Sequence, residues 1–210
     1  MTTSFPFPFR PVDAPYFRIA VLCAVLAGGC SRQPAAPLRI EWLCMGTVAA
    51  VQCADRSRAT DARDQAQAVF AELDREFSAW HGESVLSAVN RAAGSGQATA
   101  VSACFATVLQ TALDASEASG GAFNPMIGPV MQAWGFNGAM QPPEYPDDRI
   151  LNAAFAMADW RAVICNKTTD GAEVRLPVAG MSLDLGAIAK GYAVDLAWER
   201  LKAAGHTNLL

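Results

Sequence analysis

Charge is scarce in this sequence. Asp, Glu, Lys and Arg make up 17% of 210 residues, against 52% hydrophobic ones. That composition gives a core to bury and excludes a disordered chain. The formal net charge is −4, with no basic stripe and no basic–aromatic interleaving, so no nucleic acid is expected as a partner. Histidine is scarcer: His81 and His206 lack metal-ligand spacing, and each is expected at the surface rather than as a base. The sequence contains no GxxxxGK[ST] phosphate loop, no complete GxGxxG and no GxSxG elbow, and no Ser–His–Asp set can be nominated. No Cys-x-x-Cys pair and no internal repeat occurs.

Long apolar runs are missing as well. The run from Ile19 to Gly29 has eleven residues, whereas a bilayer span needs about 20. Arg10 and Arg18 precede it and "CSRQPAAP" follows. A basic flank, a short apolar core and small residues at its end form an export signal. Cys30, directly after "LAGG", looks like the lipidation residue of a bacterial lipoprotein. The expected organisation is a signal peptide over 1–29, a lipid-anchored Pro/Ala tether over 30–39 and one domain over 40–210. The expected location is the periplasmic face of a bacterial membrane, inner or outer, held by the lipid anchor. A plain cleaved signal or a buried helix is the alternative for 1–29.

Six cysteines are present, and four of them, Cys44, Cys53, Cys104 and Cys165, fall in the domain. Cys44 and Cys53 read as members of one strand, about 30 Å apart if extended, and cannot bridge without a turn between them. An exported protein could pair them; the four are expected to be unpaired or only incidentally paired, and not to bind a metal.

Periodicity sorts the domain into mixed elements of an α+β class. "RIEWLCMGTVAAVQCAD" reads as one strand with Gly46 inside it, where an interior glycine marks close approach to the backbone. A helix follows, with Ala62, Ala66, Val69, Phe70 and Leu73 on its apolar face. "SVLSAVN" reads as a helical turn. Ser102 is expected to cap a helix over 103–118, closed by Gly120–Gly121. "AFNPMIGPVMQAWGF" reads as a structured loop, "GAMQPPEYPDD" as a surface loop, and 148–158 as a helix. "WRAVICN" and "AEVRLP" read as strands around the turn "KTTDG", and "GMSLDL" as a third strand. That strand feeds a helix from Gly186 to Ala204 with a stripe of Ile188, Tyr192, Leu196 and Leu201, ended by Gly205. "HTNLL" reads as the beginning of another strand.

The stretch "MSLDLGAIAKGYAVD" carries Asp184 and Lys190 within an otherwise apolar run. Asp184 stands at a strand end before a helix N-terminus, where backbone N–H groups favour anions or polar rings. The plainer alternative is that Asp184 caps the helix and Lys190 is solvated. Lys190 lies between Ala189 and Gly191, small neighbours that leave room for a ligand. A glycine inside a helix costs about 1 kcal/mol against alanine, which suggests a packing or ligand reason for Gly191.

Four stretches together resemble the ApbE-type FAD:protein FMN transferases. They are "MGT" at 45–47, "FSAWHGESVLSAVN" at 77–90, "GAFNPMIGPVMQAWGF" at 121–136, and "MSLDLGAIAKGYAVD" at 181–195 followed by "LKAAGHTNLL". The resemblance implies a flavin transferase fold and a Mg²⁺-dependent reaction. In that reaction the FMN half of FAD moves onto a Ser or Thr hydroxyl of a target flavoprotein and AMP is released. It implies that Met45 lies beside the flavin, and that Trp80 stacks on the isoalloxazine where the family usually has Tyr. It further implies that Ala122, Phe123 and Asn124 touch FAD, with Asn124 where the family carries Asp. Asp184 and Lys190 would contact FAD, and the Ala187 carbonyl would face Mg²⁺. The implied acceptor is a flavoprotein of a membrane electron-transport complex or a periplasmic reductase. The family's remaining Mg²⁺ ligands and its histidine base have no counterpart in this sequence. The chain therefore reads as an N-terminal fragment, or a naturally short protein, inactive in transfer by itself; its catalytic residues stay unassigned. A non-catalytic FAD-binding periplasmic lipoprotein is the alternative reading, and a structural lipoprotein the third.

Overall fold

A two-residue turn splits the first predicted strand into a hairpin. In the computed structural model, which describes residues 36–136 and 145–209, β1 is Leu38–Cys44 and β2 is Thr47–Cys53. They pair antiparallel with Cys44 opposite Thr47 and Leu38 opposite Cys53. The turn residues Met45 and Gly46 both have positive φ, 46° and 70°. This is the backbone demanded by a two-residue loop that matches strand twist. It corrects the single-strand reading and the role given to Gly46. Nothing lies within 4 Å of a Cβ built there, so the requirement is conformational rather than close approach. The hairpin holds Cys44 and Cys53 at opposite ends, and all four described cysteines are free thiols. The signal peptide, Cys30, the start of the tether and most of the loop at 138–148 lie outside the described residues. No helix among the described residues is long and apolar enough to cross a membrane.

Helix α1, Ala59–Phe77, buries Ala62, Ala66, Val69, Phe70 and Leu73, the predicted face, together with Ala59 and Phe77. One side packs on the hairpin, where Trp42 meets Phe70 edge-on at 5.9 Å. Helix α2, Val85–Arg91, is capped by Ser84. Strand β3, Thr99–Ser102, leads into helix α3, Ala103–Ala118, and the Ser102 hydroxyl accepts the Phe105 N–H at 3.0 Å, as its cap position predicts. Phe105 is fully buried and stacks on Phe77 at 5.3 Å.

The predicted loop over 122–136 contains one short helix, α4, Gly128–Ala133, started by Pro129 at a position where a missing N–H costs nothing. Helix α5 is Asp148–Ala156. Strands β4, Ile164–Lys167, and β5, Gly171–Arg175, form the predicted hairpin, and β3 adds on the other side in the antiparallel order β3-β5-β4. Gly171 is fixed by close approach, since a Cβ there would stand 2.0 Å from the Val101 carbonyl oxygen.

Helix α6, Gly186–Ala203, runs antiparallel to α1 and buries Ala189, Ala193, Ala197 and Leu201. The predicted stripe is therefore corrected. Ile188, Tyr192 and Leu196 are only half-buried and flank the seam. Alanines at four-residue spacing let two helix axes approach closely, and the bulkier neighbours fall beside that line. Gly205 ends α6 at φ 80°, and the Arg58 guanidinium donates to the Ala204 and Gly205 carbonyls at 3.0 and 2.7 Å. His206 corrects a second expectation. It is buried, with its Nε2 3.0 Å from Asp61 Oδ2. Leu209 makes a single antiparallel bridge to Cys53, in keeping with the strand start read there.

Candidate functional site

Where α1 ends, Ser78 turns the chain into an extended conformation. Its buried hydroxyl accepts the N–H groups of Trp80 and His81, both at 3.3 Å. The Ser84 hydroxyl donates to the Ser78 carbonyl at 2.6 Å and accepts Ser87 N–H at 3.0 Å. The Ser87 hydroxyl donates to the His81 carbonyl at 2.9 Å, and Arg91 donates to the Gly82 carbonyl. Three serines thus fix a loop whose one large apolar side chain, Trp80, is 62% exposed. An exposed indole on a braced loop is a flat apolar surface presented to a ligand.

The facing wall is the segment 181–185. It has the period-two burial of a strand, with Met181, Leu183 and Leu185 buried, but it joins no sheet, which corrects the predicted third strand. Its backbone is held by other means. Asp184 N–H donates to the Pro125 carbonyl at 2.7 Å, and the Asn90 side chain takes both polar groups of Leu183. Asp184 accordingly points away from the core. Its Oδ1 accepts Gly186 N–H at 2.8 Å at the start of α6, so the capping reading of Asp184 holds in part. A Cβ on Gly186 would meet Asp184 Oδ1 at 3.1 Å and Lys190 Nζ at 3.5 Å. The bare glycine lets those two polar ends share one corner. Lys190 is exposed and forms no ion pair within the described residues. Gly191, by contrast, is exposed with nothing within 4 Å of a built Cβ, so packing does not account for it.

These walls enclose a cleft of about 340 Å³ that brings together four of the predicted residues, Met45, Trp80, Asp184 and Lys190. A smaller cleft of about 180 Å³ lies beside it, shares Trp80 and Asp184, and is floored by Gly128 and Met131 of α4. Ala122, Phe123 and Asn124 do not line the larger cleft; Pro125 links them to it through Asp184 N–H. Asn124 is a brace of its loop, donating from Nδ2 to the Ala158 carbonyl at 2.7 Å and accepting Met126 N–H on Oδ1 at 2.8 Å. Ala187 is exposed in the first turn of α6.

Asp74, Phe77 and Ser78 also line the cleft and were not legible in the sequence. Asp74 and Phe77 share a helix face at three-residue spacing, a signal that becomes useful only once the end of α1 is known to border a cleft. Asp74 accepts from His81, 3.0 Å away and largely exposed. The neighbouring Cys44 thiol is pushed above the usual cysteine range, mainly by burial with the Asp74 charge adding, so it is not a ready nucleophile.

The cleft offers a stacking face, one uncommitted cation, and two carboxylates of which Asp74 is engaged by His81, a fit for a planar heterocycle bearing an anionic group near Lys190. A divalent ion is not matched in the same way. Among the described residues no group of three or more His, Cys, Asp or Glu side chains stands ready to hold a metal, and Mg²⁺ asks for six oxygens in near-octahedral array.

Comparison with known proteins gives the family of the chain. The ApbE family profile matches residues 45–210. The FAD:protein FMN transferase of Treponema pallidum (strain Nichols) is 36% identical over 200 residues, covering 90% of this chain and 54% of that protein. The one from Rhodobacter capsulatus is 34% identical over 186 residues, covering 86% and 35% respectively. Among solved structures, the flavin transferase ApbE from Vibrio cholerae superposes with a TM-score of 0.73 at 25% identity, over 84% of this chain and 56% of that one. The chain spans about half the length of the curated relatives it matches, or less.

Proposed function

The chain belongs to the ApbE family, and from that premise and the cleft we propose that it binds FAD as the donor of a flavin transfer. In that transfer a Ser or Thr hydroxyl of an acceptor flavoprotein attacks the FMN phosphorus. A P–O bond to FMN forms, the pyrophosphate P–O bond breaks, AMP leaves, and the hydroxyl proton is released. The observation that carries the reading is the convergence of Met45, Trp80, Asp184 and Lys190, from three separate stretches of sequence, on one cleft. Trp80 would stack on the isoalloxazine, the Asp184 carboxylate would accept a hydrogen bond from the flavin nucleotide, and Lys190 would offset phosphate charge.

Mg²⁺ belongs to the proposal as a partner of the FAD phosphates. Among the described residues the cleft supplies the Asp74 and Asp184 carboxylates, and no group of three or more His, Cys, Asp or Glu side chains is placed to hold the ion, which is short of a complete site. No step is derived through it. The shortage favours a second reading, in which the chain holds FAD without transferring it. The acceptor is proposed as a periplasmic or membrane electron-transport flavoprotein. The location is proposed as the periplasmic face of a membrane, through lipid on Cys30, on the strength of the leader pattern.

Equilibrium dialysis of FAD against the full chain tests binding. Adding MgCl₂ and a periplasmic flavoprotein with an accessible acceptor hydroxyl tests transfer, read as AMP released and flavin covalently retained on a denaturing gel. Binding with both products supports the transferase. Binding with neither supports the second reading, and no binding refutes both.

A further inference from the structure

We propose that Asn90 is a positioning residue of the cleft, acting on Asp184 through the Leu183 peptide; its ligand consequence rests on the flavin reading above. The Asn90 Nδ2 donates to the Leu183 carbonyl at 3.0 Å, and the Leu183 N–H donates to Asn90 Oδ1 at 2.8 Å. The two bonds close a ring, as one peptide of a neighbouring strand would. Among the described residues the segment 181–185 pairs with no strand, so on this side the Asn90 side chain stands in for a ladder. Asparagine is the side chain that offers one donor and one acceptor at peptide spacing on a short stem. Aspartate lacks the donor, leucine lacks both, and glutamine is one methylene longer.

Burial and direction are separable here. Leu183 and Leu185 are each 1% exposed and keep the segment in the core whatever residue 90 is. They do not fix the rotation of the backbone between them, and Asp184 lies between them. Asn90 fixes it from one side and the Pro125 carbonyl, bound to Asp184 N–H at 2.7 Å, from the other. The same helix reaches the opposite wall. Asn90 lies near the C-terminus of α2, and Ser84 at its N-terminus clamps the Ser78–Trp80 loop. Leu86 and Val89, nearly inaccessible, anchor α2 between these two tasks. One seven-residue helix therefore sets the spacing of Trp80 and Asp184 across the cleft.

The test uses the full chain with Asn90→Ala, the milder Asn90→Asp, and Asn152→Ala on exposed α5 as a control. Hydrogen exchange needs no ligand. The Leu183 and Asp184 amides are expected to exchange at least about tenfold faster in Asn90→Ala, while the α3 amides keep their wild-type rates. In equilibrium dialysis the FAD Kd is expected to rise about tenfold at unchanged stoichiometry, with Asn90→Asp intermediate. In an Asp184→Ala background, Asn90→Ala is expected to add nothing. Unchanged exchange at 183–184 overturns the inference. So does an unchanged Kd, or an Asn90 effect that simply multiplies with that of Asp184. Faster exchange throughout the core with no change in Kd reduces Asn90 to a stability role. A wild-type chain that binds no FAD refutes the flavin reading instead, and the exchange experiment then decides the positioning role by itself.

Discussion

Trp80→Ala separates a ligand surface from a structural residue. Trp80 is 62% exposed, and among the described residues its indole makes no hydrogen bond; the Ser78 hydroxyl holds its backbone N–H, which alanine retains. Folding stability should therefore change by no more than about 0.5 kcal/mol, the range of ordinary surface substitutions. If the indole is the stacking face for the isoalloxazine, binding loses about 1–3 kcal/mol, the value of one ring stacked on an aromatic side chain. The FAD Kd then rises between about 5- and 150-fold. Trp80→Tyr keeps a flat face and should stay within about tenfold of wild type. Calorimetric titration or dialysis is the suitable assay, because flavin fluorescence depends on the indole itself. A thermal melt of the free protein runs beside it. A Kd within twofold of wild type in Trp80→Ala would refute the stacking role. A lowered melting point that accounts for the whole loss would refute it as well.

Asn124→Asp tests the departure from the family pattern: a carboxylate cannot donate to the Ala158 carbonyl now bonded at 2.7 Å, and denaturant unfolding should show a loss of about 1–3 kcal/mol. Equal or higher stability would mean that the brace is dispensable. Lys190→Gln should leave the melting point unchanged, since Lys190 has no ion-pair partner among the described residues, yet weaken FAD binding and flatten its dependence on salt. Equal salt slopes for the two proteins would remove Lys190 from the phosphate end of the site. Cys104 and Cys165, like Cys44, are raised above the ordinary thiol range, chiefly by burial. Their alkylation by iodoacetamide should be slow at neutral pH and rise steeply in alkaline buffer, and complete labelling within minutes at neutral pH would contradict that. Glu72 is lowered below the usual carboxylate range, first by its hydrogen bond from Arg200. A lowered folded-state value stabilises in full above the unfolded pKa, about 4.3 for Glu in model peptides, and the contribution is lost as pH falls from there through the lower folded-state pKa. The stability gap between wild type and Glu72→Gln should accordingly shrink in acid, and a gap that widened would reverse the assigned sign.

The parts of the fold that were legible are those where local chemistry and long-range packing agree. Helices α1 and α3 have apolar residues at helical spacing, and Ser102 and the Gly120–Gly121 pair mark the ends of α3 in the sequence itself. The β1–β2 hairpin was hidden because its turn places a methionine, not Asn or Asp, in the left-handed region at φ 46°, which no local preference signals. Met45 is held there by seven strand pairs that form only when the chain has already reversed. In α6 the expected stripe followed side-chain size, whereas the seam follows closeness of approach and so selects alanine.

The site divides along the same line. Met45, Trp80, Asp184 and Lys190 could be nominated from the sequence because the motifs that resemble the flavin family carry them, and the structure brings them to one cleft. Asp74, Ser78 and Asn90 could not be, although Ser78 and Asn90 lie within one of those motifs. Asn90 acts on a partner that sequence spacing does not reveal, since Leu183 lies 93 positions away, whereas Ser78 bonds the N–H groups two and three residues on and gains its place in the site only from where α1 ends. These two cleft walls are therefore held by isolated bonds to the backbone, most of them from side chains, and not by a continuous sheet. The Ser78 and Ser84 hydroxyls hold one wall, and the Asn90 amide with the Pro125 carbonyl holds the other. Such bonds fix a direction at a point, whereas a ladder fixes a whole strand. It follows that single substitutions at residues 78, 84 and 90 should move the ligand-facing groups while the core of Phe105, Leu109 and Leu73 stays in place.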